Sequence, residues 1–258
     1  MAYDRLSLDG RVAVVIGGTS GIGKTLSLGF AQAGATVVAS SRREAEVAAT
    51  AAELEKLGRK TLRATCDVLD RASLVRVRDE VLRAFGKIDV LVNCAGRTKK
   101  AAFAEVSEED WSAVLETNLT GTFRCCQVFG APMLEAGYGR IINIASLSSF
   151  RALYQTAAYS ASKAAVVSLT QTLAVEWGPK GVNTNAIAPG VFRTALNSAL
   201  LDGTERGKEF LLRTPMRRFG KLEELVGAAI FLASESASFV NGEVLAVDGG
   251  FLASGVNQ

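Results

Sequence analysis

The sequence predicts a single α/β domain, residues 1–258, built on a doubly wound, mostly parallel sheet of seven strands with helices on both faces. Short apolar runs rich in β-branched residues, such as RVAVVIGG at 11–18, are typical of strands buried on both faces. Stretches of helical periodicity, such as KTLSLGFAQAG at 24–34, separate these runs. The alternation continues without a break, which favours one large domain over two small ones.

The remaining elements repeat these two signals in chain order. One long helix begins near Glu108 and continues through the 120s, and another contains the segment YSASK at 159–163. A strand is expected wherever a short apolar run ends in glycine, proline or polar residues. The further predicted strands lie at 36–41, 60–68, 88–96, 140–146, 182–189 and 243–250, and the further predicted helices at 45–57, 73–85 and 223–233.

The stretch at about 194–218 interrupts this rhythm. It is polar, it carries Gly203, Gly207 and Pro215, and it lies between a strand and a helix. Ligands of such sheets bind beyond the carboxyl ends of the strands, so we predict a substrate lid over that crevice. An ordinary surface insertion is the alternative.

Composition excludes several kinds of function. The 29 basic and 26 acidic residues leave a net charge of +3, and basic residues occur in no run longer than pairs, which argues against a nucleic-acid partner. The absence of histidine excludes Ser-His-Asp and Cys-His catalysis and removes the commonest metal ligand, so we predict no metal site.

Cysteine usage and the first residues indicate the compartment. The four cysteines form no C-x-x-C pair and lie in apolar contexts, which indicates buried free thiols and a reducing environment. The first apolar run is short and follows acidic residues, unlike a signal peptide or a membrane span. We therefore expect a cytoplasmic protein without a membrane partner.

A glycine-rich loop, IGGTSGIG at 16–23, joins the first strand to the first helix. The spacing of Gly17, Gly21 and Gly23 differs from the common G-x-G-x-x-G fingerprint but serves the same purpose. Glycines let the chain turn sharply and let a diphosphate approach the positive helix N-terminus. A tight structural turn is the alternative reading of the loop alone.

The second strand ends in SSRRE, and this ending bears on the choice of cofactor. NAD-binding sheets usually place an acid here for the ribose hydroxyls, whereas arginine suits a 2′-phosphate. Ser41, Arg42 and Arg43 stand at this place, before the first acid, Glu44. NADP(H) is therefore preferred, with NAD possible, although arginines also occur at solvated helix starts.

Tyr159 and Lys163 stand four residues apart in YSASK, so a helix would place them on one face, one turn apart. A phenol has a pKa of about 10 and is a poor base at neutral pH. A neighbouring ammonium favours the phenolate, so Lys163 is expected to lower the pKa of Tyr159. A solvated helix face is the alternative.

Nine short motifs, in this order and at this spacing, resemble those of the short-chain dehydrogenase/reductase family, which is built on a Rossmann-type fold. The sequence departs from the family pattern at Ile16, usually threonine, and at Cys94, usually asparagine. Neither departure touches a reacting group. The matching motifs are the loop 17–23, CDV at 66–68, NCAG at 93–96, NLTG at 118–121, NIAS at 143–146, YSASK at 159–163, APG at 188–190, Thr194 and VDGG at 247–250.

The resemblance implies four catalytic residues. Tyr159 would be the general acid/base, and Lys163 would also hold the nicotinamide ribose. Ser146 would bond the substrate oxygen, and Asn118 would fix a water that relays protons to Lys163. Tyr159 would then give a proton to a carbonyl oxygen during reduction and take it back during oxidation.

The resemblance also implies how the cofactor is bound. Asp67 would bond the adenine amino group, Asn93 and Ala95 would line the ribose, and Val191 with Thr194 would meet the carboxamide. The expected cofactor-binding residues are Gly17, Thr19, Ser20, Gly21, Ile22, Gly23, Ser41, Arg42, Arg43, Asp67, Val68, Asn93, Ala95, Gly96, Tyr159, Lys163, Pro189, Gly190, Val191 and Thr194.

The last third of the chain resembles the gluconate 5-dehydrogenase and 2-deoxygluconate 3-dehydrogenase branch of the family, which implies a sugar acid as substrate. Alternatives are 3-oxoacyl-carrier-protein reductase, broad-specificity carbonyl reductase and an inactive nucleotide-binding scaffold. Relatives also pack their long helices in pairs, which implies a homotetramer. Arg97, Lys99, Lys100, Arg151 and Arg193 are expected near the mouth of the crevice, as carboxylate ligands or as scattered solvated charges.

Overall fold

The computed structural model describes residues 4–194 and 198–255. Its described strands form one parallel sheet in the order β2-β1-β3-β4-β5-β6. The order reverses between β1 and β3, and this switch point is where such sheets open a crevice for a ligand. The strands are β1 Val12–Ile16, β2 Thr36–Ser40, β3 Val90–Asn93, β4 Gly139–Ile144, β5 Val182–Pro189 and β6 Val244–Val247.

Helices cover both faces of the sheet, as predicted. Some short 3₁₀ turns lie between them, including Leu147–Ser149 after β4 and Leu222–Leu225 before the last helix. None of the helices in the described ranges is long and apolar enough to span a membrane. The helices are α1 Gly21–Gln32, α2 Glu44–Lys56, α3 Arg71–Phe85, α4 Glu108–Leu115, α5 Gly121–Ala136, α6 Ala157–Trp177, α7 Ser198–Leu201, α8 Glu205–Arg213 and α9 Val226–Ala233.

The alternating side chains of β1 show how the core is built. Ala13 and Val15 point into the layer beneath α1 and α9, where they join Phe30. Val14 and its neighbours on the other face of β1 pack in the layer beneath α3 and α5, where they join Phe129. A parallel strand buried on both faces needs apolar residues at every position, and this is why the strands appear in the sequence as continuous apolar runs.

The sheet has six strands among the described residues, not the predicted seven, because residues 60–68 form no strand. This segment runs beside β2 but is held mainly through side chains. The Thr61 hydroxyl donates to Val37 O at 2.6 Å, and the Ser40 hydroxyl donates to Ala64 O at 2.6 Å. These hydroxyls replace most of a regular backbone ladder along β2, which is an edge strand of the described sheet.

The long helix predicted from Glu108 is confirmed, with one difference. A π turn at Glu116–Thr120 separates α4 from α5, so the chain gains extra backbone in mid-helix without breaking. π turns of this kind are rare and are found frequently at functional sites. This one contains Asn118.

The stretch predicted as a lid contains α7 and α8, with Ala195–Asn197 lying outside the described residues. Thr204 caps α8 by accepting the Gly207 N–H at 3.0 Å. A β-carbon at Gly207 would lie 1.8 Å from Leu201 O, so this glycine allows two helices to touch. The glycine at position 207 therefore indicates close packing of α8 against α7.

Candidate active site

Four predicted catalytic side chains lie at the carboxyl ends of the sheet. Ser146 follows β4 after one residue, and Tyr159 and Lys163 lie in the first two turns of α6. Asn118 lies in the π turn and is fully buried. α6 packs on both the 3₁₀ turn after Ser146 and the π turn, so the fold brings the four side chains together.

Lys163 is buried behind Tyr159 and is held by the backbone. Its Nζ donates to Ile144 O at 2.5 Å, at the end of β4, and lies 5.8 Å from the centroid of the Tyr159 ring. Burial lowers the pKa of Lys163 to about 8, while the nearby Cys94 acts in the opposite direction. Lys163 is therefore a cation whose charge changes within a pH range in which an ordinary lysine stays protonated.

Tyr159 differs from the expectation. Burial raises its pKa, a hydrogen bond with Ser146 lowers it, and Cys94 adds a smaller increase. The pKa of Tyr159 is therefore raised and not lowered as expected, because burial of the phenol is the largest influence on it. In this arrangement the phenol holds its proton at neutral pH, with Ser146 beside it.

Asn118 connects the loop after β3 to the catalytic helix. Its Oδ1 accepts the Arg97 N–H at 2.8 Å, and its Nδ2 donates to Arg97 O at 2.9 Å and to Ser162 Oγ at 3.0 Å. A β-carbon at Gly96 would lie 3.4 Å from Asn118 Oδ1 and 3.9 Å from Lys163 Nζ. The π turn therefore places an amide beside the buried ammonium.

Ser162 was not among the predicted site residues. It is fully buried, accepts from Asn118, and donates its own hydroxyl to Tyr159 O at 2.7 Å. Ser162 thus fixes the first turn of α6 against the π turn. The sequence offered one signal for Ser162: it stands three residues after Tyr159, and a helix places such residues on the same face.

A second unpredicted set of polar contacts lies below the site. Asn93 Nδ2 donates to Asn143 Oδ1 at 2.8 Å, and Asn143 Nδ2 donates to Thr170 Oγ1 at 2.9 Å. These contacts join β3 and β4 to α6. Asn93 was expected to line the ribose; its side chain is buried in this chain of contacts, and its Oδ1 has no hydrogen-bond partner among the described residues.

The glycine loop fits a dinucleotide diphosphate. A β-carbon at Gly17 would lie 2.6 Å from Ala95 N, and one at Gly23 would lie 2.1 Å from Gly17 O, so the loop packs too closely for side chains. Gly21 has a positive φ of 47°. Within the described ranges Ser20 makes no side-chain cap and the first turn of α1 carries no acid, which leaves a positive helix end for an anion.

The residues after β2 form a small polar cluster. Thr19 Oγ1 donates to Ser41 Oγ at 2.8 Å, and Arg43 forms an ion pair with Glu46. Arg42 is exposed and forms no ion pair with any described acid. The cluster therefore offers a free guanidinium at the position that the sequence assigned to a 2′-phosphate.

The other expected cofactor residues lie along the same carboxyl edge. Asp67 Oδ1 accepts the Leu69 N–H at 2.9 Å, so one carboxylate oxygen closes a turn, and Asp70 is the cap of α3. Gly190 packs on Asp248, where a β-carbon would lie 2.6 Å from Asp248 Cα. The remaining members of the edge are Ile22, Val68, Ala95, Pro189, Val191 and Thr194.

The five cations predicted at the mouth of the crevice differ in their partners and in their burial. Lys99 pairs with Asp110 at 3.1 Å, and Arg193 pairs with Asp202 at 2.6 Å. Arg151 donates to Phe150 O at 3.1 Å and is exposed, as is Arg97. Lys100 is partly buried, and burial together with the charge of Arg206 lowers its pKa.

The cysteines agree with the prediction of free thiols. Cys66, Cys125 and Cys126 are buried, and Cys94 is half-buried beside Lys163. Burial raises the pKa of Cys94 to about 11, so its thiol stays protonated. Among the described residues no group of three or more cysteine, aspartate or glutamate side chains could hold a metal ion.

Comparisons with known proteins find relatives over nearly the whole length of the chain. A family model described as enoyl-(acyl carrier protein) reductase matches residues 17–252. A D-threitol dehydrogenase of Mycolicibacterium smegmatis is 43% identical over 244 residues, 95% of this chain and 94% of that protein. A gluconate 5-dehydrogenase of Gluconobacter oxydans is 39% identical over 251 residues, 97% of this chain and 98% of that protein.

Among solved structures, a gluconate 5-dehydrogenase from Burkholderia cenocepacia in complex with NADP and tartrate superimposes with a TM-score of 0.94. It is 40% identical in sequence, and the match covers 98% of this chain and 99% of that chain. Sequence and fold are thus shared over nearly the full length. The chain belongs to the short-chain dehydrogenase/reductase family of oxidoreductases.

Proposed function

We propose that this protein is an NADP(H)-dependent oxidoreductase that interconverts a secondary alcohol and a ketone on a sugar acid such as a keto-gluconate. The observation that supports it best is the position of the buried Lys163, whose Nζ lies 5.8 Å from the centroid of the Tyr159 ring and donates to Ile144 O, two residues before Ser146. This places a proton donor and an oxygen-binding hydroxyl side by side at the carboxyl ends of the strands. Reaction chemistry at a carbonyl oxygen needs both groups.

NADP, when bound, supplies or accepts the hydride. The N-terminus of α1 would bind its diphosphate, and Arg42, with Arg43, would bind its 2′-phosphate. Lys163 would hold the nicotinamide ribose, and Val191 with Thr194 would contact the carboxamide. The relatives' NADP complex supports the preference for NADP over NAD.

Ser146 would hold the substrate oxygen, and Tyr159 would transfer the proton at that oxygen. During reduction Tyr159 donates its proton as the carbonyl becomes a hydroxyl, and during oxidation it takes the hydroxyl proton. Because burial raises the pKa of Tyr159, donation needs no ionisation first, whereas oxidation is favoured at alkaline pH. Asn118 would orient Lys163 and the water that carries protons to solvent.

The substrate class rests on the relatives and on charge. Both the threitol and the gluconate enzymes are named for polyhydroxylated carbon chains, the first neutral and the second anionic. A partly buried cation, Lys100, near the crevice favours an anionic substrate. A 3-oxoacyl-carrier-protein reductase is less favoured, because relatives 43% and 39% identical to this chain are named for threitol and gluconate.

We also propose that residues 1–258 act as one domain, with 194–218 as a lid, in a cytoplasmic homotetramer. Large apolar side chains on the surface support the assembly: Val175, at the end of α6, is 77% exposed, and Phe239 is fully exposed. A second copy would cover them. A monomeric mass by light scattering would contradict this assembly.

A cofactor and substrate panel tests the proposed function. NADP⁺ and NAD⁺ are each offered with gluconate, 2-deoxygluconate and threitol, and NADPH is offered with 5-ketogluconate and a β-ketoacyl thioester. The expected result is turnover of a sugar acid with NADP⁺ as the better cofactor. Binding of NADPH without turnover of any carbonyl compound would instead identify an inactive nucleotide-binding scaffold.

A further inference from the structure

We propose that Lys100 and Arg206 together form a carboxylate-binding site that selects sugar acids over neutral polyols. The inference rests on the proposed function and deepens it, because it names the residues that recognise the charged end of the substrate. Lys100 lies in the loop after β3, and Arg206 lies in the first turn of α8. Arg206 was not among the cations that the sequence indicated.

Ion pairing and burial together separate these two cations from their neighbours. Within the described ranges, acids pair with five of the basic side chains in the loops after β3 and β5 and in and after α8, whereas none pairs with Lys100 or Arg206, or with the exposed Arg97 and Arg151. Both are also partly buried, whereas the neighbouring cations are exposed. The neutralised pairs are Lys99–Asp110, Arg193–Asp202, Lys208–Glu205, Arg213–Glu209 and Arg218–Glu224.

Backbone contacts bring the two cations to the same place. The N–H of Ala101, next to Lys100, donates to Gln155 O at 3.3 Å. Arg206 Nη1 donates to Tyr154 O at 3.2 Å. Two adjacent carbonyl groups thus anchor the loop after β3 and the N-terminus of α8.

Gln155 has a φ of 63°, a left-handed conformation that non-glycine residues rarely adopt. Such strain is retained where the surrounding structure requires it, and it is often found at ligand sites. Gln155 lies four residues before Tyr159, just ahead of the first turn of α6. The anchored cations therefore flank the chain that leads into the proton donor.

The local electrostatics leave an anion as the missing partner. Arg206 lies in the first turn of α8, where a cation opposes the helix dipole and an anion is favoured. Burial and the charge of Arg206 lower the pKa of Lys100, so the two like charges are held near each other. A carboxylate between them would relieve this repulsion and would face the helix N-terminus as well.

Arg206 keeps donors available for that carboxylate. Its guanidinium carbon lies 5.5 Å from the centroid of the Phe210 ring, one turn along α8. One nitrogen is committed to Tyr154 O, and a guanidinium has five N–H donors. The remaining donors can form a fork with a carboxylate while Lys100 contributes a point charge.

The test compares an acid with its uncharged amide on variants that remove one charge at a time. Lys100→Met and Arg206→Met are assayed with D-gluconate and D-gluconamide under saturating NADP⁺. Lys208→Met and Arg213→Met, which remove exposed and paired charges from the same helix, are the matched controls. Calorimetric titration of gluconate into the enzyme with NADPH bound gives a dissociation constant that is independent of turnover.

We expect each of the two variants to raise the KM and the dissociation constant for gluconate by about 10- to 100-fold, the loss expected for a charge-assisted hydrogen bond. The values for gluconamide and the kcat should stay within about threefold of wild type, as expected when uniform binding alone is removed. Both controls should behave as wild type. Circular dichroism and NADPH binding report whether each variant is folded.

Two results would overturn the inference, and they differ in what they say about the proposed function. Unchanged binding of gluconate by both variants would place the carboxylate elsewhere while the sugar-acid activity stands. Turnover of threitol by the wild-type enzyme without turnover of any sugar acid would reject the proposed substrate class and this site with it.

Discussion

Cations are buried at both ends of the strands, which we call the amino edge and the carboxyl edge of the sheet. The charge of the buried cation is paired at the amino edge and unpaired at the carboxyl edge. At the amino edge Arg140, 4% exposed, lies 4.6 Å from the centroid of the Tyr138 ring and pairs with Glu235 at 3.5 Å. At the carboxyl edge Lys163, 6% exposed, pairs with no acid among the described residues, and its pKa falls to about 8. Paired charges are typical of structural networks, and unpaired, shifted charges are typical of sites that do chemistry.

The amino edge is a network of mutual contacts. Arg11 bridges Asp89 at 3.5 Å and Glu235 at 2.6 Å and also lies over the Tyr138 ring at 4.2 Å. The Tyr138 hydroxyl donates to Glu235 at 2.8 Å. These residues come from distant parts of the chain and are joined only by the topology of the sheet. We expect changes here to affect stability and changes at the carboxyl edge to affect rate.

The largest effect is expected from Tyr159→Phe, which removes the proton donor and keeps the ring. Turnover should fall by about 10⁴-fold, at the upper end for general acid/base catalysis. NADPH binding, followed by its fluorescence, and the urea midpoint should stay near the wild-type values. Retention of more than a tenth of the wild-type activity would show that another group transfers the proton.

At the amino edge, Asp89→Ala should lower the free energy of unfolding by about 3 kcal/mol, because it leaves buried partners unpaired. Asp89 Oδ2 accepts the Val12 N–H at 2.8 Å, and the carboxylate pairs with Lys87 at 2.9 Å. Urea denaturation measures the loss, and kcat per folded molecule should be unchanged. Asp79→Ala, on the exposed face of α3, is the control and should cost less than about 1 kcal/mol.

A loss of activity without loss of stability in Asp89→Ala would break the comparison between the two edges. It would mean that the amino edge is coupled to the reacting groups. If Asp79→Ala were as destabilising as Asp89→Ala, burial would not be the factor that decides stability at the amino edge.

The depressed pKa of Lys163 predicts a pH dependence of stability. Between about pH 8 and 10 the unfolded chain keeps this lysine protonated while the folded chain does not, so stability rises with pH in that window. The difference in unfolding free energy between wild type and Lys163→Met should grow in favour of wild type by about 2 kcal/mol from pH 8 to pH 10. Urea titrations at several pH values measure it, and a flat difference would contradict a depressed pKa.

The smallest effect is expected from Ser162→Ala, which acts through Tyr159 and Asn118. Loss of its two hydrogen bonds should lower stability by about 1 kcal/mol and kcat by about threefold to tenfold, with KM unchanged. Ser162→Thr keeps the hydroxyl and should restore most of the rate. A variant with unchanged kcat in both directions would limit Ser162 to packing.

The sequence contained the periodic elements and the motifs at their ends, and these were enough to place most of the site. Strand β5 matches its prediction residue for residue, because Gly181 and Gly190 bound its eight residues, Val182–Pro189, on either side. Segment 60–68 did not follow its pattern, because side-chain hydroxyls at an edge replaced the backbone ladder. Propensity alone does not distinguish these cases.

Charge pairing could not be predicted, since it depends on residues far apart in the chain. Lys99 and Lys100 are adjacent and identical in type, yet one meets Asp110 and the other does not meet an acid among the described residues. Arg206 carries no sequence signal at all, because its position beside Tyr154, 52 residues earlier, arises only in the folded chain. The pKa of Tyr159 was missed for the same reason, since burial was not visible in the motif.

The π turn at Glu116–Thr120 also sets how the long helix tolerates a change of length. A π turn winds by fewer degrees per residue than an α-helix, so it absorbs one additional residue without rotating α4 relative to α5. The buried face of α4, which includes Val114, therefore keeps the phase of one continuous helix with α5. Deleting one residue within the turn would restore ordinary α-helix and keep these buried faces, and the displacement would fall on Asn118 instead of on the packing of the helix.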